Sequence, residues 1–336
     1  MKSKTIIFTG LEQAELVEVD LLDEPAPHEF TIQTRVTLMS MGTELACYRA
    51  DSEPGSHWHG WVKHPFSPGY SCVGEVIKVG SDIEWLHVGE RIFHTTSHRQ
   101  YANLSIPEDQ IVRVPDGVSD EEAVWSKLAT ITQTAVRQVE HAMGDRAVVI
   151  GQGPIGQLVT QYLRLLGLRE ILVIDQMQTR LDLALAHGAT AGFNGSAAEA
   201  KDFVLEHTDG QLADAVYDAT GHFSVLPLSL PLARQYGTVM LLGDSPHPSR
   251  QHLTPDLLTR QIRLIGTHNE SLPPAYAYWT PIRQQRLFLQ YVQRQQMKVD
   301  DLITHRFDPE QASQVYADLN RDRSDSIGVI FKWKMS

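Results

Sequence analysis

The sequence predicts an α/β protein made of a β-rich domain and a doubly wound parallel sheet. Three observations carry that prediction. The 336 residues suffice for roughly two domains at about 150 residues each. The first 120 residues read as short extended segments between turn residues, and from about Asp120 short apolar runs alternate with helical stretches. Such alternation implies parallel strands covered by helices on both faces.

The elements follow in order. Glu15–Asp20, Phe30–Leu38, Gly74–Val79 and Glu90–Phe93 read as strands, with Gly80, Ser81 and Asp82 turning the chain between the last two. Asp120–Val139 and Ile155–Leu166 read as helices. The apolar runs Ala147–Ile150, Ile171–Ile174, Ala215–Tyr217, Thr238–Leu242 and Ile262–Ile265 read as buried strands, separated by helical stretches such as Arg180–Ala186 and Ala197–His207. Beyond residue 272 come a helix, Ile282–Gln296, an extended run, Leu302–Phe307, a helix around Pro309–Leu319 and a last strand, Gly328–Trp333.

Composition excludes several classes. Hydrophobic residues make 42% and charged residues 21%, and 29 basic against 41 acidic residues leave a net charge of −12. A chain this acidic has no general attraction for nucleic acid or anionic membranes, so any phosphate must be held locally. No run of 18 apolar residues predicts a transmembrane helix, and the apolar run Thr5–Phe8, broken by Gly10, is too short for a signal peptide. Two cysteines, Cys47 and Cys72, exclude a disulfide scaffold and any four-cysteine metal site. A reducing cytoplasm is expected, with both thiols buried.

The strongest local motif is Gly151-Gln152-Gly153-Pro154-Ile155-Gly156, directly after the run Ala147–Ile150 and opening a helix. Gly151 permits the sharp turn, Gly153 lets backbone approach a pyrophosphate, and Gly156 allows close helix–strand packing. The helix N-terminus adds free N–H groups and a positive dipole end. Asp175 follows 19 positions after Gly156. A carboxylate there accepts ribose hydroxyls and repels a 2′-phosphate, which favours NAD over NADP. Arg180 reads either as stacking near the adenine or as surface charge. Further cofactor contacts are expected at Ala219 and Thr220, at Gly243, and at Thr267 and His268, where apolar runs end.

With these features the chain resembles the medium-chain dehydrogenase/reductase superfamily, the alcohol and polyol dehydrogenases, almost end to end. The resemblance also rests on Met41-Gly-Thr-Glu44, like the family's Cys-Gly-Thr-Asp, on Pro68-Gly-Tyr70-Ser-Cys-Val-Gly-Glu75, like Pro-Gly-His-Glu-x-x-Gly, and on Val88-Gly-Glu-Arg91-Ile, like Val-Gly-Asp-Arg-Val. It implies a GroES-like substrate domain formed by residues 1–125 and 272–336, with a Rossmann NAD-binding domain, 126–271, inserted between. The tract from Gly266 to Arg283 further resembles a subgroup of bacterial sugar and glycoside dehydrogenases that includes a D-guloside 3-dehydrogenase. Bacteriochlorophyllide hydroxyethyl dehydrogenases are more distant relatives of that subgroup.

The departures from the family pattern bear on mechanism. Its zinc enzymes hold catalytic zinc through the Cys of the first motif, the His of the second and a later Glu or Cys; here Met41, Tyr70 and Lys127 stand at those positions. A thioether, a phenol and an ammonium do not replace thiolate, imidazole and carboxylate, so no catalytic zinc is expected. The short stretch His94–Gln100 leaves no cysteine-rich lobe for a structural zinc. Proton transfer then falls to Lys127, if burial lowers its pKa, or to Tyr70, whose pKa a nearby Lys127 would lower, with Thr43 as an orienting or relay hydroxyl. Glu44, Trp58, His59, His94 and Glu270 are candidate substrate contacts, with Trp58 and Trp61 on a covering segment, Ser52–Pro65.

These features imply a cytoplasmic, zinc-independent, NAD(H)-dependent oxidoreductase interconverting a secondary alcohol and a ketone on a sugar, glycoside or cyclic polyol. A homodimer is expected through sheet-edge strands near Thr238–Leu242 and Ile262–Ile265. Two alternatives stay open: an NAD(P)H quinone or enoyl reductase, and a non-catalytic nucleotide-binding protein.

Overall fold

The structure, a computed structural model, describes residues 1–335. Two compact units divide the chain: Met1–Lys127 with the segment from Thr280 onward, and Leu128–Trp279.

The first unit opens with an antiparallel hairpin, β1 (Lys2–Gly10) and β2 (Gln13–Asp20). Strand β3 (Phe30–Leu38) is buried at eight of its nine positions. That follows from its central place in a seven-stranded sheet, where it pairs antiparallel with β4 (Cys72–Val79) on one side. Between them lie two helices, α1 (Met41–Arg49) and α2 (His57–Trp61). After β4 come β5 (Arg91–His94), β6 (Tyr101–Leu104) and β7 (Val112–Arg113).

Helix α1 lies in a region whose sequence reads as extended. The reason is burial on most sides: Met41, Glu44, Leu45, Ala46, Cys47 and Tyr48 are all buried, so no apolar stripe of helical period shows. Its core neighbours include Ile6, Phe8, Trp58, Tyr316 and Phe331. The ring of Phe8 meets that of Tyr316 edge-on at 4.8 Å.

The single helix predicted over Asp120–Val139 is two. α3 (Asp120–Ala123) starts on a capping box between Ser119 and Glu122. α4 (Ser126–Val139) restarts after Trp125, whose indole is fully buried.

In the second unit β8 (Arg146–Ile150), α5 (Pro154–Leu166), β9 (Glu170–Asp175), α6 (Gln178–Ala186), β10 (Ala191–Asn194), α7 (Lys201–His207) and β11 (Ala213–Asp218) alternate. They continue through α8 (Leu226–Ser229), β12 (Ala233–Leu241), α9 (Asp256–Thr259) and β13 (Arg263–Gly266). All six strands are parallel, in the order β10-β9-β8-β11-β12-β13. Val148, Leu172, Val216 and Val239 have no exposure, as buried parallel strands require. The chain winds one way from β8 to β10 and the other way from β11 to β13, so the carboxyl ends of β8 and β11 flank the point where strand order reverses. Edge strand β10, Ala-Gly-Phe-Asn, lacks the apolar run that marks its neighbours and escapes sequence reading.

The chain then returns to the first unit through α10 (Pro281–Gln293), β14 (Ile303–Phe307), α11 (Ala312–Arg321) and β15 (Gly328–Lys332). Strand β15 is inserted between β14 and β3, parallel to the former and antiparallel to the latter. Among the described residues no helix is long and apolar enough to cross a membrane.

Candidate active site

The glycine turn sits at the carboxyl end of β8. Gly151 has φ +89° and donates its N–H to Ile174 O at 2.8 Å, a conformation glycine adopts without strain. A Cβ on Gly151 would stand 2.7 Å from Thr220 Cγ2, and one on Gly156 would stand 1.8 Å from Gly151 O. A Cβ on Gly153 would meet nothing within 4 Å, so that side of the turn is open. Gly153 is the N-cap of α5 and offers no side-chain cap; Pro154 and Ile155 follow. The N–H groups of the first turn are therefore left to a ligand or to water, at the positive end of the helix dipole.

Asp175 closes β9 beside this turn. Its Oδ2 accepts the Gln152 N–H at 2.6 Å and its Oδ1 the Met177 N–H at 2.9 Å, while Arg180 Nη1 lies 3.8 Å from Oδ2. Arg180 thus lies against Asp175. Across the turn, Ala219 donates its N–H to Ile150 O at 3.0 Å. Thr220 donates both its N–H, at 2.9 Å, and its hydroxyl, at 2.6 Å, to Asp218 Oδ1. Gly243 donates its N–H to Asp218 O at 2.9 Å, and a Cβ there would lie 2.0 Å from Gly221 N. Thr267 accepts Gln138 Nε2 on its hydroxyl at 3.0 Å, and His268 is exposed on the loop that follows.

Asp218 itself carries no signal in the sequence beyond its place at a strand end. It has no exposure, and Oδ2 finds no hydrogen-bond partner among the described residues. Burial, set against the Thr220 and Gly221 hydrogen bonds, pushes its carboxyl up to about 6.

The proton-transfer candidates belong to the first unit. The Tyr70 phenol donates to Ser40 Oγ and approaches Thr43 Oγ1 at 3.4 Å. Ser40 and Thr43 are both half-buried. The expectation that the Tyr70 pKa would be lowered is overturned: close packing around the hydroxyl pushes it up to about 12, more than the nearby Ser40 and Thr43 hydroxyls lower it. Lys127, 8% exposed, stands on the first turn of α4.

Three of the expected substrate contacts are corrected by burial. Glu44 is 1% exposed and fully engaged, accepting the Ser40 N–H at 2.7 Å on Oε1 and, on Oε2, His98 Nε2 at 3.0 Å and the Tyr316 hydroxyl at 2.5 Å. A carboxylate taken out of water needs such donors, which is why the helix turns it inward. His94, 3% exposed, lies inside the sheet with Nδ1 against Thr96 Oγ1 at 2.9 Å, and burial pushes its imidazole down to about 3. Trp58 is 5% exposed and packs in the core, 5.7 Å from the Trp61 ring; helix α2, in place of an extended stretch, turns it inward. His59 on α2 is exposed, and Glu270 is half-buried on the loop after β13. Cys47 and Cys72 are free, buried thiols raised to about 12 by burial.

Sequence reading missed Ser40, His98 and Tyr316. Ser40 precedes a helix that the sequence does not announce, so no local signal marked it. The pairing of Glu44 with His98 and Tyr316 spans 54 and 272 positions, and nothing local announces it.

Comparison with known proteins bears on both units. Residues 154–279 match the family described as zinc-binding dehydrogenase. The chain is 25% identical to the D-guloside 3-dehydrogenase of Escherichia coli K12, over 98% of this chain and 100% of that protein. Among solved structures, an Escherichia coli oxidoreductase/dehydrogenase of unknown specificity superposes with TM-score 0.84 at 18% identity, covering 100% of both chains. A Sinorhizobium meliloti protein described as a zinc-binding dehydrogenase and bound to NADP superposes at 0.81 and 19% identity, covering 99% of both. The fold is that of the medium-chain dehydrogenases. A GroES-like β-rich unit and a Rossmann unit are its two parts.

Proposed function

We propose that the protein is an NAD(H)-dependent, zinc-independent dehydrogenase that interconverts a secondary alcohol and a ketone on a sugar, glycoside or cyclic polyol. The observation that carries the reading is the phenol of Tyr70, hydrogen-bonded to Ser40 Oγ with Thr43 Oγ1 at 3.4 Å, at the position where the related zinc enzymes have a histidine ligand.

The donor set does not fit zinc. Met41 is 4% exposed and packed among core side chains, Tyr70 is a phenol committed to a hydroxyl, and Lys127 offers an amine in place of a thiolate or carboxylate. The turn does fit a dinucleotide: the uncapped N–H groups of α5 and the open side at Gly153 suit a pyrophosphate, and Asp175 stands where ribose hydroxyls are read. NAD, when bound, supplies or accepts the hydride. Tyr70 donates to or accepts from the reacting oxygen, Thr43 orients it, and the Lys127 ammonium stabilises developing negative charge. Two buried free thiols suit a reducing cytoplasm. Strand β13, paired on one side only among the described residues, suits a homodimer built across the sheet edge.

Metal analysis of the purified protein, with NADH and NADPH titrations and a panel of polyols and glycosides assayed with NAD, tests this. NADH preference, turnover of a ring-bearing polyol and no dependence on zinc are expected. Stoichiometric zinc essential for activity overturns the reading, as does unchanged turnover in both Lys127→Ala and Tyr70→Phe. Preference for NADPH points to the quinone or enoyl reductase alternative. Cofactor binding without turnover points to a non-catalytic role.

A further inference from the structure

Ser40 occupies the N-cap of α1, where a serine hydroxyl ordinarily accepts a backbone N–H of the first turn. Here it makes no such bond. The Glu44 side chain reaches back instead and accepts the Ser40 N–H at 2.7 Å. Glu44 is in turn locked by His98 and Tyr316. The Ser40 backbone is thereby anchored, and its hydroxyl, which makes no cap bond, accepts from Tyr70. Local rules broken in this way mark positions held for another purpose.

The geometry also ranks the two hydroxyls near Tyr70. Thr43 Oγ1 at 3.4 Å lies beyond the usual range of an O–H···O hydrogen bond, whereas Ser40 is a direct partner. Burial pushes the Tyr70 hydroxyl up to about 12, so it is a neutral phenol at pH 7. It therefore cannot take a substrate proton as a resident tyrosinate. It can pass one on only by releasing its own proton at the same time.

We propose that Ser40 is the outlet of a hydroxyl relay, carrying the proton of an oxidised alcohol from Tyr70 to solvent, with Glu44 as the positioning residue that holds the Ser40 backbone in place. The proposal rests on the dehydrogenase reading above. In the oxidation direction the substrate O–H bond breaks and a new O–H forms on Tyr70, whose own proton moves to Ser40 Oγ. The original Ser40 proton then leaves to water. One proton goes out, and the hydride leaves separately to the nicotinamide. Reduction runs the same chain inward. Ser40 and Tyr70 are both half-buried; with Tyr70 facing the substrate oxygen, Ser40 is the end left to meet water.

The test has two arms on the full chain. In the first, the protein carries tyrosine labelled with ¹³C at Cζ, and the Tyr70 signal is assigned by Tyr70→Phe. Ser40→Ala is expected to move that signal, and Ser40→Thr to restore it; an unmoved signal in Ser40→Ala overturns the proposal without reference to turnover. In the second arm, turnover of sorbitol and methyl glucosides with NAD is followed from about pH 7 to about pH 10. Ser40→Ala is expected to lower kcat about 100-fold with NADH affinity unchanged, and its kcat to rise with pH as hydroxide takes the phenol proton directly. Ser40→Thr is expected to recover most of the rate. Parental kcat and pH profile in Ser40→Ala overturn the relay. If the parent turns over none of the probes, the dehydrogenase reading fails instead, and the ¹³C arm alone decides whether Ser40 is the proton partner of Tyr70.

Discussion

The carboxyl of Asp218 makes the stability of the nucleotide unit depend on pH in an unusual direction. In the folded protein it holds its proton up to about pH 6, against an ordinary value of 3.8. Between those values the native state binds more protons than the unfolded chain, so stability falls as pH rises from about 4 through about 6. A shift of about 2 units at roughly 1.4 kcal/mol each gives about 3 kcal/mol, fully present below pH 4 and lost above pH 6. Full burial and a partnerless Oδ2 mean that solvent screening removes little of it. Asp218→Asn keeps an acceptor for the Thr220 N–H and hydroxyl but cannot ionise. Its urea-unfolding free energy is expected to gain about 3 kcal/mol on that of the parent between pH 4 and pH 7.5, since the titration of every other group cancels in the comparison. A gap between variant and parent that is the same at both pH values refutes this account of the buried carboxyl.

Two further substitutions test the turn and the buried network. Gly156→Ala places a methyl 1.8 Å from Gly151 O; loss of NADH binding by fluorescence titration is expected, with a lower melting temperature, because backbone on both sides must move. Tyr316→Phe removes one donor from the buried Glu44 carboxylate and is expected to cost about 2 kcal/mol in urea unfolding, the range for a hydrogen bond to a charged group.

How far the sequence was legible depended on the range of the interactions involved. The parallel strands announced themselves because burial on both faces demands continuous apolar runs, and the glycine turn because only glycine fits at Gly151 and Gly156. Helix α1 was hidden by burial on nearly all sides, and β10 by its place at a sheet edge. At the candidate site, Thr43 and Tyr70 could be picked out by motif, but motif could not tell that Glu44, one residue further on, turns inward while Thr43 stays half-buried. That depends on His98 and Tyr316, which only the folded sheet brings to α1. The direction of the Tyr70 shift was misjudged for a related reason: the desolvation that dominates it is a property of packing, which the sequence does not display.

Strand β15 has a consequence for the order in which the protein is made. It lies between β14 and β3, and Trp333 just beyond it donates its indole N–H to Thr37 Oγ1 at 3.2 Å. The sheet behind Ser40 and Tyr70 therefore cannot close until residues 328–333 have left the ribosome, although β3 and β4 emerged some 250 residues earlier. The nucleotide unit, continuous from Leu128 to Trp279, has all its strands long before. During synthesis a ready Rossmann sheet is thus followed by an interval in which the first unit waits with the Val36–Leu38 stretch of β3 lacking its β15 partner, and that interval is where chaperones would act and where a stalled or shortened chain would aggregate.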